Sequence, residues 1–409
     1  MDPDVQLGLR VAQFRRRRGI SQLVLAGRLG RSESWVSKVE RGERRVDRLS
    51  VIEDLAAVLE VDPGTLLGPW PRPHGIRSGR PAAHQGGRPE VEAIRAALMR
   101  YDAITAPCTS ELAPSIPDLR RGVEGLWEAF QASRYSLIGS ALPELLHRAE
   151  AASRAIEGDG RLAALAQLAL AYQATAATLL KVGAAELAWL AADRGVTAAE
   201  RSGDPLAVAG CARMVAHAFL DAGHCQRAVE LAMGAAAALR PALGPCSPSL
   251  LSVYGALLLK GAVAAARNGD RATTRELLAE AGRAADRLGG DHNHRWTAFG
   301  PANVALHTVA TAVELGDGRD AVTQALAIDP PRLRALERRA QRLIDLARGY
   351  GLWAKDAEAV AALLEAESLA PEEVRRQQAV RALVGELLRR WRRNGGELRA
   401  LAARVGALP

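Results

Sequence analysis

The sequence predicts an all-α protein, with a five-helix unit at the N-terminus and a long solenoid of paired helices behind it. Three observations predict this. Apolar residues recur at helical spacing along most of the chain, and β-branched runs are scarce. Proline and glycine fall between the periodic segments rather than inside them. A glycine followed five residues later by alanine recurs at Gly183 and Ala188, Gly223 and Ala228, and Gly316 and Ala321. At 409 residues the chain has room for two or more domains.

In the N-terminal unit, Leu7, Leu9, Val11 and Phe14 supply the apolar contacts of a first helix, which ends in Arg15-Arg16-Arg17-Arg18 and is stopped by Gly19. Ser21 caps a second helix from Gln22 to Leu29, because its hydroxyl can accept from a free backbone N–H of the first turn. Gly30 sits where the chain must reverse and can take the left-handed conformation. Ser32 caps a third helix that ends near Arg41, with Gly42 just beyond. Its Val36 and Val39 face inward, while Glu33, Ser34, Ser37 and Lys38 share the opposite face. Leu49, Ile52, Leu55, Val58 and Leu59 form a fourth amphipathic helix, and Asp62-Pro63 opens a fifth. Two short helices joined by a tight turn, the second with a reachable polar face, make the pattern that places one helix in the major groove of DNA.

Residues 7–68 resemble the lambda-repressor-like helix-turn-helix domain of the XRE family. The matching pieces are the Arg-rich end of helix one followed by Gly19-Ile20-Ser21-Gln22, the Leu29-Gly30 turn, Trp35 through Gly42, and Val61-Asp62-Pro63 before Leu66-Leu67-Gly68. The resemblance implies a DNA-contacting set of Gln22, Ser32, Glu33, Ser34, Trp35, Ser37, Lys38, Arg41, Arg44 and Arg45. In it Gln22 and the arginines after the third helix hold phosphates, Trp35 touches the backbone, and Glu33, Ser34, Ser37 and Lys38 face base edges. Chemistry agrees with that division. Arginines suit phosphate, Lys38 can donate to guanine, and Glu33 either accepts from cytosine N4 or points away.

The net charge is +8, and the first 90 residues hold 16 Lys/Arg against 11 Asp/Glu, so most of the excess lies at the DNA-binding end. Cys108, Cys211, Cys225 and Cys246 show no Cys-x-x-Cys spacing, and no signal peptide opens the chain, which fits a reducing cytoplasm. Charges punctuate the Ala-rich runs, so no membrane span is expected. Residues 69–89 carry five prolines (Pro69, Pro71, Pro73, Pro81, Pro89) and read as a basic linker. The expected domains are therefore 1–68, the linker 69–89, and a helical repeat domain 90–409.

Within that last part the turn glycines recur at intervals of 40, 46, 47 and 35 residues, through Gly183, Gly223, Gly269, Gly316 and Gly351. The pattern resembles degenerate tetratricopeptide repeats, which stack helix pairs into a superhelix with a concave inner face. About six pairs over residues 118–370 are expected, with Glu372–Arg393 as one long capping helix. The resemblance implies a ligand groove on the first helix of each pair. Counted back from the turn glycines, Gln173, Arg213, His217, Lys260, Asn303 and His307 fall on or beside it, and Trp296 could wall it or anchor the core. Buried polar groups on such apolar helices need partners or a ligand.

No catalytic constellation is present, so an enzyme is not expected, and neither is a cofactor. His292 and His294 lack companion ligands for a metal site. The two-part organisation is similar to peptide-sensing quorum regulators and to two-part actinomycete regulators. It implies a homodimer on a palindromic double-stranded operator, with a peptide, small molecule or protein partner in the groove. The alternative is a protein-partner adaptor tethered to DNA without a small effector. A groove open to solvent favours the sensor, and one closed by the chain's own terminal helix argues against it.

Overall fold

The computed structural model describes residues 3–18, 20–46, 49–59, 61, 66, 89–100, 115–244, 247–390 and 396–408, all of them helix, turn or irregular chain without a strand. It divides into two units, Met1–Ala83 and His84–Pro409.

In the first unit α1 is Pro3–Arg17, α2 Gln22–Arg28, α3 Glu33–Glu40 and α4 Leu49–Leu59. Leu7, Val11, Leu25, Val36, Val39, Ile52, Leu55 and Leu59 form its core. Leu9 does not join them and is half exposed. It falls off the i, i+4, i+7 stripe of Leu7, Val11 and Phe14, so it points to the other side of α1. A Cβ on Gly8 would stand 2.2 Å from the Val39 carbonyl oxygen, which is why α1 can cross α3 in backbone contact. Of the expected fifth helix only Leu66 is described. It is buried, and its carbonyl accepts from Arg10 Nη1 at 2.9 Å. Asp62-Pro63, residues 69–88, Cys108 and Cys246 lie outside the described residues. Pro89, expected as linker, instead opens helix α5, Pro89–Leu98, with Glu90 and Glu92 in its first turn.

The array follows as six pairs. They are α6 Ile116–Gln131 with α7 Tyr135–Ala155, α8 Gly158–Lys181 with α9 Ala185–Ser202, and α10 Pro205–Asp221 with α11 Cys225–Leu239. Then come α12 Pro248–Arg267 with α13 Arg271–Leu288, α14 Pro301–Leu315 with α15 Gly318–Ala327, and α16 Leu336–Leu352 with α17 Asp356–Leu369. One turn geometry joins every pair. Gly183, Gly223, Gly269 and Gly316 have φ of +77° to +83°. The residue after each donates its N–H to a carbonyl five residues back at 2.8–2.9 Å. In the first and last pairs the same turn is made by Ser133 (φ 56°) and Ala354 (φ 57°), so the last turn does not begin at Gly351, which is still inside α16. Five residues past each turn stand Ile138, Ala188, Ala228, Thr274, Ala321 and Ala359, all buried where the second helix meets its neighbours.

The expected single helix over 372–393 is instead broken. α18 is Pro371–Arg376, α19 Gln378–Arg390 and α20 Gly396–Val405, with Gln377 extended between the first two. The break turns Glu373 toward the start of the array. Lys181 Nζ lies 2.6 Å from Glu373 Oε1 and 2.6 Å from Glu337 Oε1, and both carboxylates are buried. Tyr135 Oη and the Gln377 amide also donate to Glu373. Around this centre Ser136 N and Oγ donate to Glu372 at 2.9 and 3.0 Å, and Arg376 reaches Glu90 at 3.2 Å. The solenoid thus closes on itself, end to beginning.

Helices α8 and α12 are long and apolar enough to cross a membrane, contrary to the sequence expectation, but 72% and 78% of those stretches are buried inside the array. Their apolar surface is used as core.

Removing one member of a buried charge cluster leaves the others uncompensated, at a cost of about 3–5 kcal/mol. Glu373→Ala, which also strands the buried donors of Tyr135 and Gln377, is therefore expected to lower the array's unfolding free energy, measured by urea denaturation, by that amount. Arg121→Ala, which removes a solvent-exposed pair with Asp118, should leave it unchanged.

Candidate functional site

Two regions gather the residues singled out from the sequence. The first is α3 and its flanks. Ser32 Oγ accepts from Trp35 N and Ser21 Oγ from Val24 N, both at 3.2 Å, so both caps form as expected. Glu33, Ser34 and Lys38 are exposed, Ser37 is half-buried beside them, and Arg41, Arg44 and Arg45 are exposed just beyond. Trp35 is half-buried under the Arg31 guanidinium, 5.6 Å from the ring centre. Gln22 is committed internally. Its amide donates to Glu40 Oε2 at 2.8 Å, and Arg15 grips the same carboxylate at 2.6 and 3.0 Å. Arg15 also donates to the Ile20 carbonyl at 2.9 Å. One arginine of the basic run is thus a structural tie between α1, α2 and α3, and α3 is held from behind its exposed face.

The second region is the lumen of the closed array, a cavity of about 520 Å³. Arg213, His217, Lys260, Trp296, Asn303 and His307 all line it. Gln173 does not. It is buried between helices, with Nε2 3.2 Å from the Gly210 carbonyl, and α8 reaches the lumen only through its last turns at Ala177, Leu180 and Lys181. The groove lies inside a ring rather than along an open superhelix, because α18 and α19 complete the circumference and Gln377 and Gln378 join the lining. It stays open to solvent, with the His217 and Asp221 side chains 30% and 32% exposed. The two closing helices do not fill the centre.

The lumen's charges form an ordered chain across four successive inner helices. Arg267 of α12 meets Glu314 of α14 at 3.1 Å and Asp221 of α10 at 3.8 Å, and Arg348 of α16 meets Glu314 at 2.8 Å and Asp345 at 3.2 Å. Burial pushes the Glu314 carboxyl up, but Arg348 and Arg267 more than offset this and hold it at about 2. Burial, reinforced by Lys260, holds His217 well below its ordinary value. Burial, reinforced by Arg338, holds His307 at about 3. Both imidazoles are neutral. His307 Nδ1 faces the Asn303 carbonyl at 2.9 Å, and a carbonyl only accepts, so Nδ1 carries the proton and Nε2 is left as an acceptor.

Arg213 and Lys260 differ from the rest. Neither has a hydrogen bond or ion pair among the described residues. Burial lowers the proton affinity of both, with Arg338 adding to it at Arg213 and Arg213 adding to it at Lys260, while Glu337 opposes it at Arg213 and Asp221 opposes it at Lys260.

A wall of the lumen comes from the segment between α13 and α14. Trp296 stacks on Trp127 with ring centres 6.5 Å apart and planes at 4°. Phe299 is fully buried against Gly255, where a Cβ would stand 1.9 Å from the ring. The segment therefore supplies both a lumen wall and a core anchor. Asn293 and Gln131 exchange side-chain bonds at 2.8 and 2.9 Å, and Arg295 pairs with Asp204 at 2.7 Å.

The sequence reading missed Gln341, Asp345 and Arg348. They lie 13, 9 and 6 residues before Ala354, the offsets that place Asn303, His307 and His217 before their turn glycines. Counting from Gly351 hid them.

Residues 6–67 match the family described as a helix-turn-helix domain, so the first unit is of that class. No curated protein matches the chain. Among solved structures it is similar to PlcR of Bacillus thuringiensis, in a crystal structure with the peptide PapR7 and DNA. The identity is 13%, the match covers 87% of this chain and 99% of that one, and the TM-score is 0.35.

Glu314 titrates lower in the folded array than in the unfolded chain. Its stabilising contribution is present above about pH 4.5 and is lost as pH falls toward 2, on the order of 3 kcal/mol in total. Acid titration of the array's circular dichroism should show a transition in that window, and Glu314→Gln should flatten it.

Proposed function

We propose that this chain is a DNA-binding transcriptional regulator whose helical array binds a small effector in its lumen. The carrying observation is that one chain joins a helix-turn-helix domain with an exposed polar face on α3 to an array whose lumen is lined by Arg213 and Lys260, neither with a hydrogen bond or ion pair among the described residues. Lys38, Glu33, Ser34 and Ser37 read base edges. Arg41, Arg44 and Arg45, with Ser32 and Trp35, hold the phosphate backbone. Gln22 acts chiefly by bracing Glu40.

The protein acts as a homodimer in the cytoplasm, on an operator with two half-sites. The effector shifts the balance between arrangements of the dimer by binding one of them more tightly. A lumen of about 520 Å³ lies within the roughly 300–1,000 Å³ typical of small-molecule sites, and a folded protein partner cannot enter it. Size therefore favours the sensor over the adaptor, and a compact molecule over a long peptide.

Native mass spectrometry of the purified chain should show a dimer retaining a small molecule, which Arg213→Ala with Asn303→Ala loses while still binding the operator. A bare monomer with equal affinity for selected and random DNA contradicts the proposal. Lys38→Ala should weaken operator binding by roughly 5- to 150-fold and random DNA far less, as measured by anisotropy. Arg44→Ala with Arg45→Ala should reduce the slope of log affinity against log salt by about 2, and an unchanged slope excludes phosphate contact.

A further inference from the structure

We propose that the ligand of the lumen is a small molecule with one oxyanion and a flat apolar body, its charge held by Arg213 and Lys260 and its body lying against Trp296. This rests on the effector reading of the same cavity.

Lys181 is shared by Glu337 and Glu373, and Arg267 and Arg348 share Glu314. With Arg338 on Glu337, Asp221 beside Arg267 and Asp345 beside Arg348, each of those cations has a carboxylate. Arg213 and Lys260, on the adjacent inner helices α10 and α12, have no such partner among the described residues. Arg338 of α16 also lines the lumen, but it is paired with Glu337 at 3.3 Å, so its charge is balanced within the set of Lys181, Arg338, Glu337 and Glu373. The two cations without an ion pair repel each other, and burial strengthens that repulsion. An oxyanion placed between them reverses its sign, and a guanidinium holds carboxylate or phosphate through two parallel bonds.

Asn303 adds a second, independent sign of a missing partner. It is 3% exposed, lines the lumen, and its Oδ1 has no hydrogen bond; as an acceptor it calls for an N–H or O–H on the ligand's body rather than for the oxyanion. The apolar side of the site is also built. Trp296 is a non-glycine residue at φ 59°, held there by the Arg295–Asp204 pair and by stacking on Trp127, with Leu259 and Leu306 lining the lumen as well. Strained backbone of this kind persists only where the surroundings over-determine it, and it clusters at binding sites.

The test uses the full chain and three probes of one shape: 1-naphthoate, 1-naphthyl phosphate and the neutral 1-naphthamide, titrated calorimetrically. The expected result is that at least one anion binds about tenfold or more tightly than the amide, naphthoate assigning a carboxylate and naphthyl phosphate a phosphate. Arg213→Gln with Lys260→Met should erase that difference while melting at the same or a higher temperature, because it relieves repulsion in the empty lumen. Equal binding of all three probes, binding of none, or unchanged anion binding in the double variant overturns the proposal. So does a lower melting temperature, which would make the two cations structural. Operator anisotropy in the same samples separates this inference from the regulator reading. An anion that binds without changing DNA affinity contradicts the regulator and leaves the anion site standing. An equal DNA response to naphthamide contradicts the anion site and leaves the regulator standing.

Discussion

Lys181, held between Glu337 and Glu373, is the interaction on which the architecture of the second unit depends. It joins the end of α8 to the beginning of α16 and to α18, across 192 residues of sequence at the longer span. Burying one ammonium and two carboxylates is costly, and only dense pairing offsets the cost. That pairing is present, with Tyr135, Ser133 and Gln377 all donating to Glu373. An array that could have remained an open superhelix is instead a ring. Closing the ring converts a groove into a lumen, and the lumen fixes which ligands can be considered. It also places Arg213 and Lys260 where they repel each other. The first unit solves a similar problem on a smaller scale. There Glu40 is the buried carboxylate, and Arg15 and Gln22 tie it to two other helices behind the exposed face of α3.

How much of this was legible in the sequence follows from the range of each interaction. Caps and turns are local, and Ser21, Ser32, Gly30 and the four array glycines were readable as they stand. The helical class and the pairing of helices rest on the same local signals. Ser133 and Ala354 adopt the glycine conformation against their own preference, because the helices they join leave no other route. No propensity marks such residues, so the first pair had no marker and the last was counted from the wrong position. Leu9 was misassigned for a simpler reason, since apolar character was weighed ahead of its angular position on α1.

The lumen was partly legible. Offsets from a turn place side chains on a helix face, and six of the seven expected positions line the same cavity. Gln173 fails because α8 is longer than its partners and buries its middle against α10 before reaching the lumen. Ring closure could not be read at all. It depends on residues more than 150 positions apart meeting in space, and on a helix that breaks at Gln377 so that Glu373 can turn inward. Sequence periodicity predicts a continuous helix there, and the tertiary charge cluster overrides it.

Hydrogen exchange of the intact chain tests ring closure most directly. A six-residue helix at the end of an open solenoid is too short to persist alone and should exchange like a frayed terminus. If Lys181 and Glu373 close the ring, the hydrogen-bonded amides of Val374, Arg375 and Arg376 are protected as strongly as those in the middle of the core helix Pro248–Arg267, and Lys181→Met abolishes that protection. Rapid exchange of those three amides in the unaltered chain would show that the ring is open, and the lumen would fall with it.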